Sequence, residues 1–274
     1  MRAVRRLGWG AVLGTVLLGC NDSAAPRTGG QVPPPAVLLK DIVIPVLPSP
    51  YYHFEYDSTG RMTAVSFASN FTMYQVIWQV DRISELQNGT LGNQDRLEYT
   101  YDGNGRVSRV DYVHPDDSVF TRVWLSYEGA RLIGLTRELL LDGSFVTDKT
   151  LKFTYYPDGN LKDLTDHRPA IAGFQTDNTT SDRFEQYDDK VNVDAFGLVH
   201  NDFFDHLVLL PGVTLQKGNP ARVTRTGDGT NYRVDNVYDY DGQGRPRSVT
   251  GDVLLTNGPD AGTHVQTLST FTYY

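Results

Sequence analysis

From Tyr51 onward the chain alternates apolar or aromatic residues with polar ones. Phe54 and Tyr56, then Leu97, Tyr99 and Tyr101, then Tyr238 and Tyr240 recur at a spacing of two, which places each set on one face of an extended strand. Charged residues take the alternate positions: Arg109 and Asp111 flank Val110, and Arg233 and Asp235 flank Val234. A helical period is weak outside residues 201–210. The pattern predicts an all-β chain, a long antiparallel meander of hairpins curled into an open roll or barrel.

A turn signal recurs with the strands. Tyr56-Asp57-Ser58-Thr59-Gly60-Arg61, Tyr101-Asp102-Gly103-Asn104-Gly105-Arg106 and Tyr240-Asp241-Gly242-Gln243-Gly244-Arg245 share one layout, and Tyr155-Tyr156-Pro157-Asp158-Gly159-Asn160 is a variant. Shorter versions surround Trp78-Gln79-Val80-Asp81-Arg82 and Tyr127-Glu128-Gly129-Ala130-Arg131. The anchors Tyr56, Trp78, Tyr101, Tyr127 and Tyr155 lie about 22 to 28 residues apart, the length of one hairpin with strands of about ten residues. Asp is suited to accept local backbone N–H bonds, and Gly takes a positive φ at low cost. The arginine opens the return strand, where it can pair with the acid or stack on an aromatic ring. Phe271-Thr272-Tyr273-Tyr274 reads as the opening strand of one more unit.

This YDxxGR layout is similar to the YD repeats of RHS-type proteins. Together with Gln186-Tyr187-Asp188-Asp189-Lys190, Leu209-Leu210-Pro211-Gly212 and Lys217-Gly218-Asn219-Pro220, it resembles a family of Bacteroidota lipoproteins described as a domain of unknown function with a porin-like fold. The resemblance covers residues 40–274 and implies the same meander, with no catalytic residues to carry over. Trp78 in place of tyrosine, the shortened turn after Tyr127, and Pro246 in place of an aliphatic depart from the pattern.

The N-terminus has a different character. Arg2, Arg5 and Arg6 precede an apolar stretch over residues 7–18, too short for a membrane-spanning helix and suited to a secretory signal. It ends in Leu17-Leu18-Gly19-Cys20, which resembles the bacterial lipobox; the resemblance implies cleavage before Cys20 and acylation of its thiol. Residues 1–19 are thus expected to be a signal peptide. Residues 20–36, rich in proline, form a tether, and residues 37–274 one repetitive β domain. Pro26, Pro33, Pro34 and Pro35 fall in the tether, which at about 3.1 Å per residue reaches tens of ångströms.

Composition narrows the function. Cys20 is the single cysteine, which excludes intrachain disulfides and a cysteine nucleophile elsewhere. The 25 basic and 33 acidic side chains give a net charge of −8. Losing the three leader arginines takes the chain near −11, which argues against nucleic acid as partner and makes lipid, not a basic patch, the membrane attachment. His200, Asp202, Asp205 and His206 are the one cluster of metal-ligand types. A spacing of six separates the two histidines around a helix axis, and the preferred reading is a solvated loop with Phe203, Phe204 and Leu207 packed on the roll. No GxSxG, P-loop or HExxH element occurs, so neither catalysis nor a cofactor is expected. The reading is a lipid-anchored protein of the cell envelope, at the outer membrane, a non-catalytic binding or scaffolding module whose ligand would be a glycan or an envelope protein. The alternatives are a hydrolase built on the His/Asp cluster and an integral outer-membrane barrel. Strand faces ending in tyrosine hydroxyls favour a water-soluble roll with an aromatic core.

Overall fold

The computed structural model describes residues 37–90, 92–193 and 209–274. Cys20 and the cluster His200, Asp202, Asp205 and His206 lie outside the described residues, as does most of the segment with a helical period. Sixteen strands follow one another: β1 (Leu39–Val43), β2 (Tyr52–Tyr56), β3 (Met62–Phe67), β4 (Thr72–Gln79), β5 (Arg82–Asn88), β6 (Arg96–Tyr101), β7 (Val107–Val113) and β8 (Val119–Glu128). The longer strands come next: β9 (Arg131–Leu141), β10 (Ser144–Tyr155), β11 (Leu161–Arg168), β12 (Asn178–Tyr187), β13 (Pro220–Gly227), β14 (Tyr232–Tyr240), β15 (Pro246–Leu255) and β16 (His264–Tyr273). Each pairs antiparallel with its sequence neighbours, and β1 also pairs with β16, so the sheet closes into a barrel with no edge strand. The final strand, which the sequence pattern reads as the opening strand of one more unit, pairs on its second side with β1.

Alternation decides which side chains enter the barrel. Val65, Tyr74, Leu86, Leu97 and Val110 are all fully buried and pair in adjacent strands, Val65 with Tyr74 and Leu86 with Leu97. They belong to one core cluster that runs from Leu39 to Phe271. Burying a Leu or Val side chain contributes roughly 1.5–3 kcal/mol, so this face supplies most of the drive to fold. A sixteen-strand porin leaves an aqueous channel. Here the interior is occupied by side chains.

The part of the β12–β13 connection from Leu209 onward helps to fill it. The Leu209 amide donates to the Tyr99 hydroxyl at 3.1 Å, and the Leu161 amide donates to the Leu215 carbonyl at 3.0 Å. Leu209 and Leu215 are both buried in the core cluster. Asp188 fastens the ends of this connection, accepting from the Asn219 amide at 2.9 Å and from the Tyr240 hydroxyl.

Candidate functional site

The connections after even-numbered strands all lie at one end of the barrel, and the YD turns make up this rim. In each full turn one carboxylate organises the loop. Asp102 Oδ1 accepts from the Asn104 and Arg106 amides at 2.8 and 3.0 Å, while its own amide donates to the Arg106 carbonyl. Asp57 and Asp241 make the same set with Thr59 and Arg61, and with Gln243 and Arg245. Gly60, Gly105 and Gly244 sit at φ of +80°, +78° and +75°, a region costly for other residues. Hydrogen bonds from Arg106 hold the Asp102 carboxyl below its usual range. Asp57 is lowered chiefly by the Thr59 hydroxyl, and Asp241 by the Arg245 backbone.

Each arginine stacks on the aromatic anchor of the following unit. Arg61 lies over Trp78, Arg82 over Tyr101, Arg106 over Tyr127, Arg131 over Tyr155, and Arg245 over Tyr273, at 4.4–5.9 Å. The polar tip of each ring donates to the carbonyl just after that arginine: Trp78 to Met62, Tyr101 to Ile83, Tyr127 to Val107, Tyr155 to Leu132 and Tyr273 to Pro246, at 2.6–2.9 Å. Tyr187 makes the equivalent bond to Leu161 at 2.8 Å. The departures in sequence fit this scheme. Trp78 has an indole N–H to donate, and Pro246 needs to supply only a carbonyl. Burial pushes the Tyr101, Tyr127 and Tyr155 hydroxyls up to about 12. The ring is a structural weld with no reactive group in it. Tyr56 and Tyr240 stand apart from it, Tyr56 edge-on to Tyr274 and Tyr240 bonded to Asp188.

Charged residues recur on the outer wall, beside the exposed apolar side chains of Leu140, Val237 and Leu268. Across β5 to β9 the outward row reads Glu85, Glu98, Asp111, Arg122 and Glu138. Trp124 joins this wall with Arg109 over its ring and its indole N–H on Glu138. Four histidines are paired with aspartates: His53 with Asp41 at 2.6 Å, His114 with Asp95 at 2.9 Å, His167 with Asp177 at 3.2 Å and His264 with Asp252 at 2.9 Å. Among the described residues no group of three or more His, Cys, Asp or Glu is arranged to hold a metal ion.

The interior changes character toward the opposite rim, between β9 and β14. Arg137 shares the inner face with buried Leu135, and the bulge in β10 between Thr147 and Lys149 turns Asp148 onto it. Arg137 Nε and Nη2 donate to the Asp148 carboxylate at 2.6–3.1 Å. Lys149 is equally buried on the same face. Two strands on, Arg225 donates twice to Asp182, at 2.8 and 2.5 Å, and lies over the Tyr232 ring. The Asp182 carboxylate raises the hold of Arg225 on its proton. Arg168 and Asp166 complete this inner set, paired at 3.3 Å.

At the mouth above this set, the β11–β12 loop folds back on itself through an Ile171–Gln175 bridge. The Gln175 side-chain amide reaches the Asp148 and Pro169 carbonyls at 2.8 and 2.7 Å, pinning the loop to β10. The loop and strand ends border an open cleft of about 590 Å³ lined by Arg168, Ile171, Phe174, Gln175, Thr176 and Asn178, with Gly173. Sequence reading missed this region. Its signal is Asn178-Thr179-Thr180-Ser181-Asp182-Arg183, a strand segment with no apolar alternate.

No protein-family model matches the chain, and no curated protein matches it. Among solved structures it is similar to a porin-like protein from Bacteroides vulgatus ATCC 8482, at 12% identity and a TM-score of 0.55, covering 86% of this chain and 99% of that one. A porin-like protein from Bacteroides uniformis ATCC 8492 also matches, at 12% identity and a TM-score of 0.46 over 81% of this chain and 89% of that one. At this identity the first likeness speaks to fold alone: the chain is an all-β, closed sixteen-strand antiparallel barrel with a porin-like neighbour.

Proposed function

We propose that the protein is a lipid-anchored component of the cell envelope, at the outer membrane, whose barrel stands in water, binds a ligand and catalyses nothing. The observation that carries this reading is the inversion of the barrel relative to a membrane pore. An apolar cluster forms the core toward the YD rim, with paired charges on the inner face at the far end, and Arg109, Arg122, Lys152, Arg183, Arg222 and Arg233 all lie on the outer wall. On a lipid-facing strand each such cation costs about 2–4 kcal/mol at the bilayer midplane. An integral barrel needs a continuous outward apolar band; the cations spread over this wall, between exposed Leu140, Val237 and Leu268, support the water-facing reading.

An anchor must then come from elsewhere, and Leu17-Leu18-Gly19-Cys20 resembles a lipobox. Several acyl chains on Cys20 would hold stably where one would not. In this arrangement residues 1–19 are removed and residues 20–36 form the tether. They lead into β1 at the YD rim, where Tyr274 donates to the Leu38 carbonyl. The cleft at the far rim is the end left open to a ligand. The resemblance to YD-repeat lipoproteins supports the same placement. Labelled palmitate tests the anchor: the wild-type chain incorporates it and Cys20→Ala does not, whereas an unlabelled wild type, or equal labelling of both, overturns it.

A further inference from the structure

Resting on that reading, we propose that the seam where the barrel closes is a docking place: toward the far rim, β16 accepts an extended segment of another envelope protein as an added antiparallel strand. The seam is only half as long as the strand that offers it. β1 has five residues and β16 has ten, and their register runs from Leu39 with Tyr273 to Val43 with Thr270. β1 goes no further. The chain turns at Ile44, whose carbonyl accepts from the Leu47 amide, and Pro45, Pro48 and Pro50 have no ladder donor to offer. Among the described residues, 264–269 therefore pair with β15 alone.

Register also fixes where the unused backbone groups point. The Leu255 amide donates to the Thr263 carbonyl at 3.0 Å, so by alternation Val265, Thr267 and Ser269 bond β15. His264, Gln266 and Leu268 turn their amides and carbonyls the other way, to the side on which Thr270 meets Val43. All five residues from His264 to Leu268 are exposed. Open edges are commonly blocked by lysine, proline or a bulge. Residues 264–269 contain neither lysine nor proline, and their register with β15 is unbroken.

Rows across the sheet define the partner. On the inner face Val234, Val253 and Val265 stand in line, and the row ends on Val265, 47% exposed. On the outer face Val237, Thr250 and Leu268 form a row that ends on Leu268, 41% exposed. An apolar side chain opposite each end would continue its row. Between them, the outer row Asp235, Asp252 and Gln266 carries two carboxylates, which favours a lysine opposite Gln266. The partner is thus a short strand with apolar residues three positions apart, on opposite faces, and a basic residue between them. A second copy of the chain fits less well, since it brings the same aspartates and a net charge of −8 to the same edge.

The test uses the full lipidated chain in detergent and a fluorescein-labelled hexapeptide, Thr-Val-Thr-Lys-Val-Thr, followed by anisotropy. Laid antiparallel, the peptide sets its lysine opposite Gln266 and its valines opposite Leu268 and Val265. The wild-type chain should bind it. N-methylation of the lysine, whose amide faces the edge, should weaken binding by at least about tenfold, the range of one lost ladder bond. N-methylation of the next valine, whose amide faces away, should leave binding unchanged. Val265→Lys should weaken it by at least about tenfold by placing a charge in the apolar row. Gln266→Pro, at an amide that the barrel's own sheet does not use, should do the same, and thermal melting checks that both variants fold. Equal losses from the two N-methyl peptides, unchanged binding by Val265→Lys, or no binding by a wild-type chain that melts cooperatively would overturn the proposal. So would a dimer in sedimentation that Val265→Lys dissolves, because the edge would then belong to a second copy. Palmitate labelling of the same preparation reads the anchor separately, so the two proposals fail distinguishably.

Discussion

Two stretches of one barrel solve the same closure problem with different chemistry. In β2–β11 the inner face toward the middle is apolar, and each unit is welded to the next through an arginine, a ring and one carbonyl. In β12–β16 the inner face carries Asp182, Arg225, Tyr232, Asn236 and Thr267, and the exposed Val265. The weld is interrupted where the β12–β13 connection enters, with Tyr240 given over to Asp188 and Asn219. The regular stretch carries stability in small repeated contributions. The irregular one holds buried charge, which costs desolvation and is retained where it serves something other than stability.

The largest expected effect breaks the buried charge at the far rim, which reaches back from the irregular stretch into β9 and β10. Asp148→Ala takes the bidentate carboxylate away from Arg137, which should cost about 3–5 kcal/mol in urea unfolding, whereas the pair Arg137→Leu with Asp148→Leu should restore most of it. A small effect of the single change would mean that the interior there is wet. Next, Leu97→Ala in the regular stretch should cost about 2–5 kcal/mol, while Val253→Ala, only part-buried in β15, should cost under about 1.5 kcal/mol. Equal losses would erase the contrast.

Smaller effects probe the weld. Tyr127→Phe removes the donor to the Val107 carbonyl and should cost about 1 kcal/mol. Alkali reads the same ring collectively. With burial raising Tyr101, Tyr127 and Tyr155 from 10.0 to about 12, their neutral form favours the folded state. That contribution is fully present below pH 10 and fades as pH rises toward 12. Absorbance of tyrosinate should therefore lag behind that of a free phenol until the barrel opens. Coincident titration near 10 would remove the ring from the account.

Periodicity made the strands legible, and Asp-x-x-Gly-Arg made the turns legible, because both are local. The stacking partners were not, since the ring each arginine covers belongs to the next hairpin, some twenty residues on. The charged interior was obscured for a different reason. The bulge after Thr147 exchanges the two faces of β10, so counting by twos from Phe145 misplaces Lys149. Residues 178–183 offer no apolar position from which to choose a face at all. Leu209 reaches Tyr99 across 110 positions of chain, a contact no spacing rule anticipates.

The inverted barrel is the centre of this account, and its most direct test is the behaviour of residues 21–274 without lipid. Expressed without the leader and Cys20, that chain should stay in the high-speed supernatant without detergent. It should sediment as a monomer and show a β-sheet spectrum that melts cooperatively. A chain that folds only when detergent or bilayer is supplied would contradict it, because the polar wall would then be facing lipid.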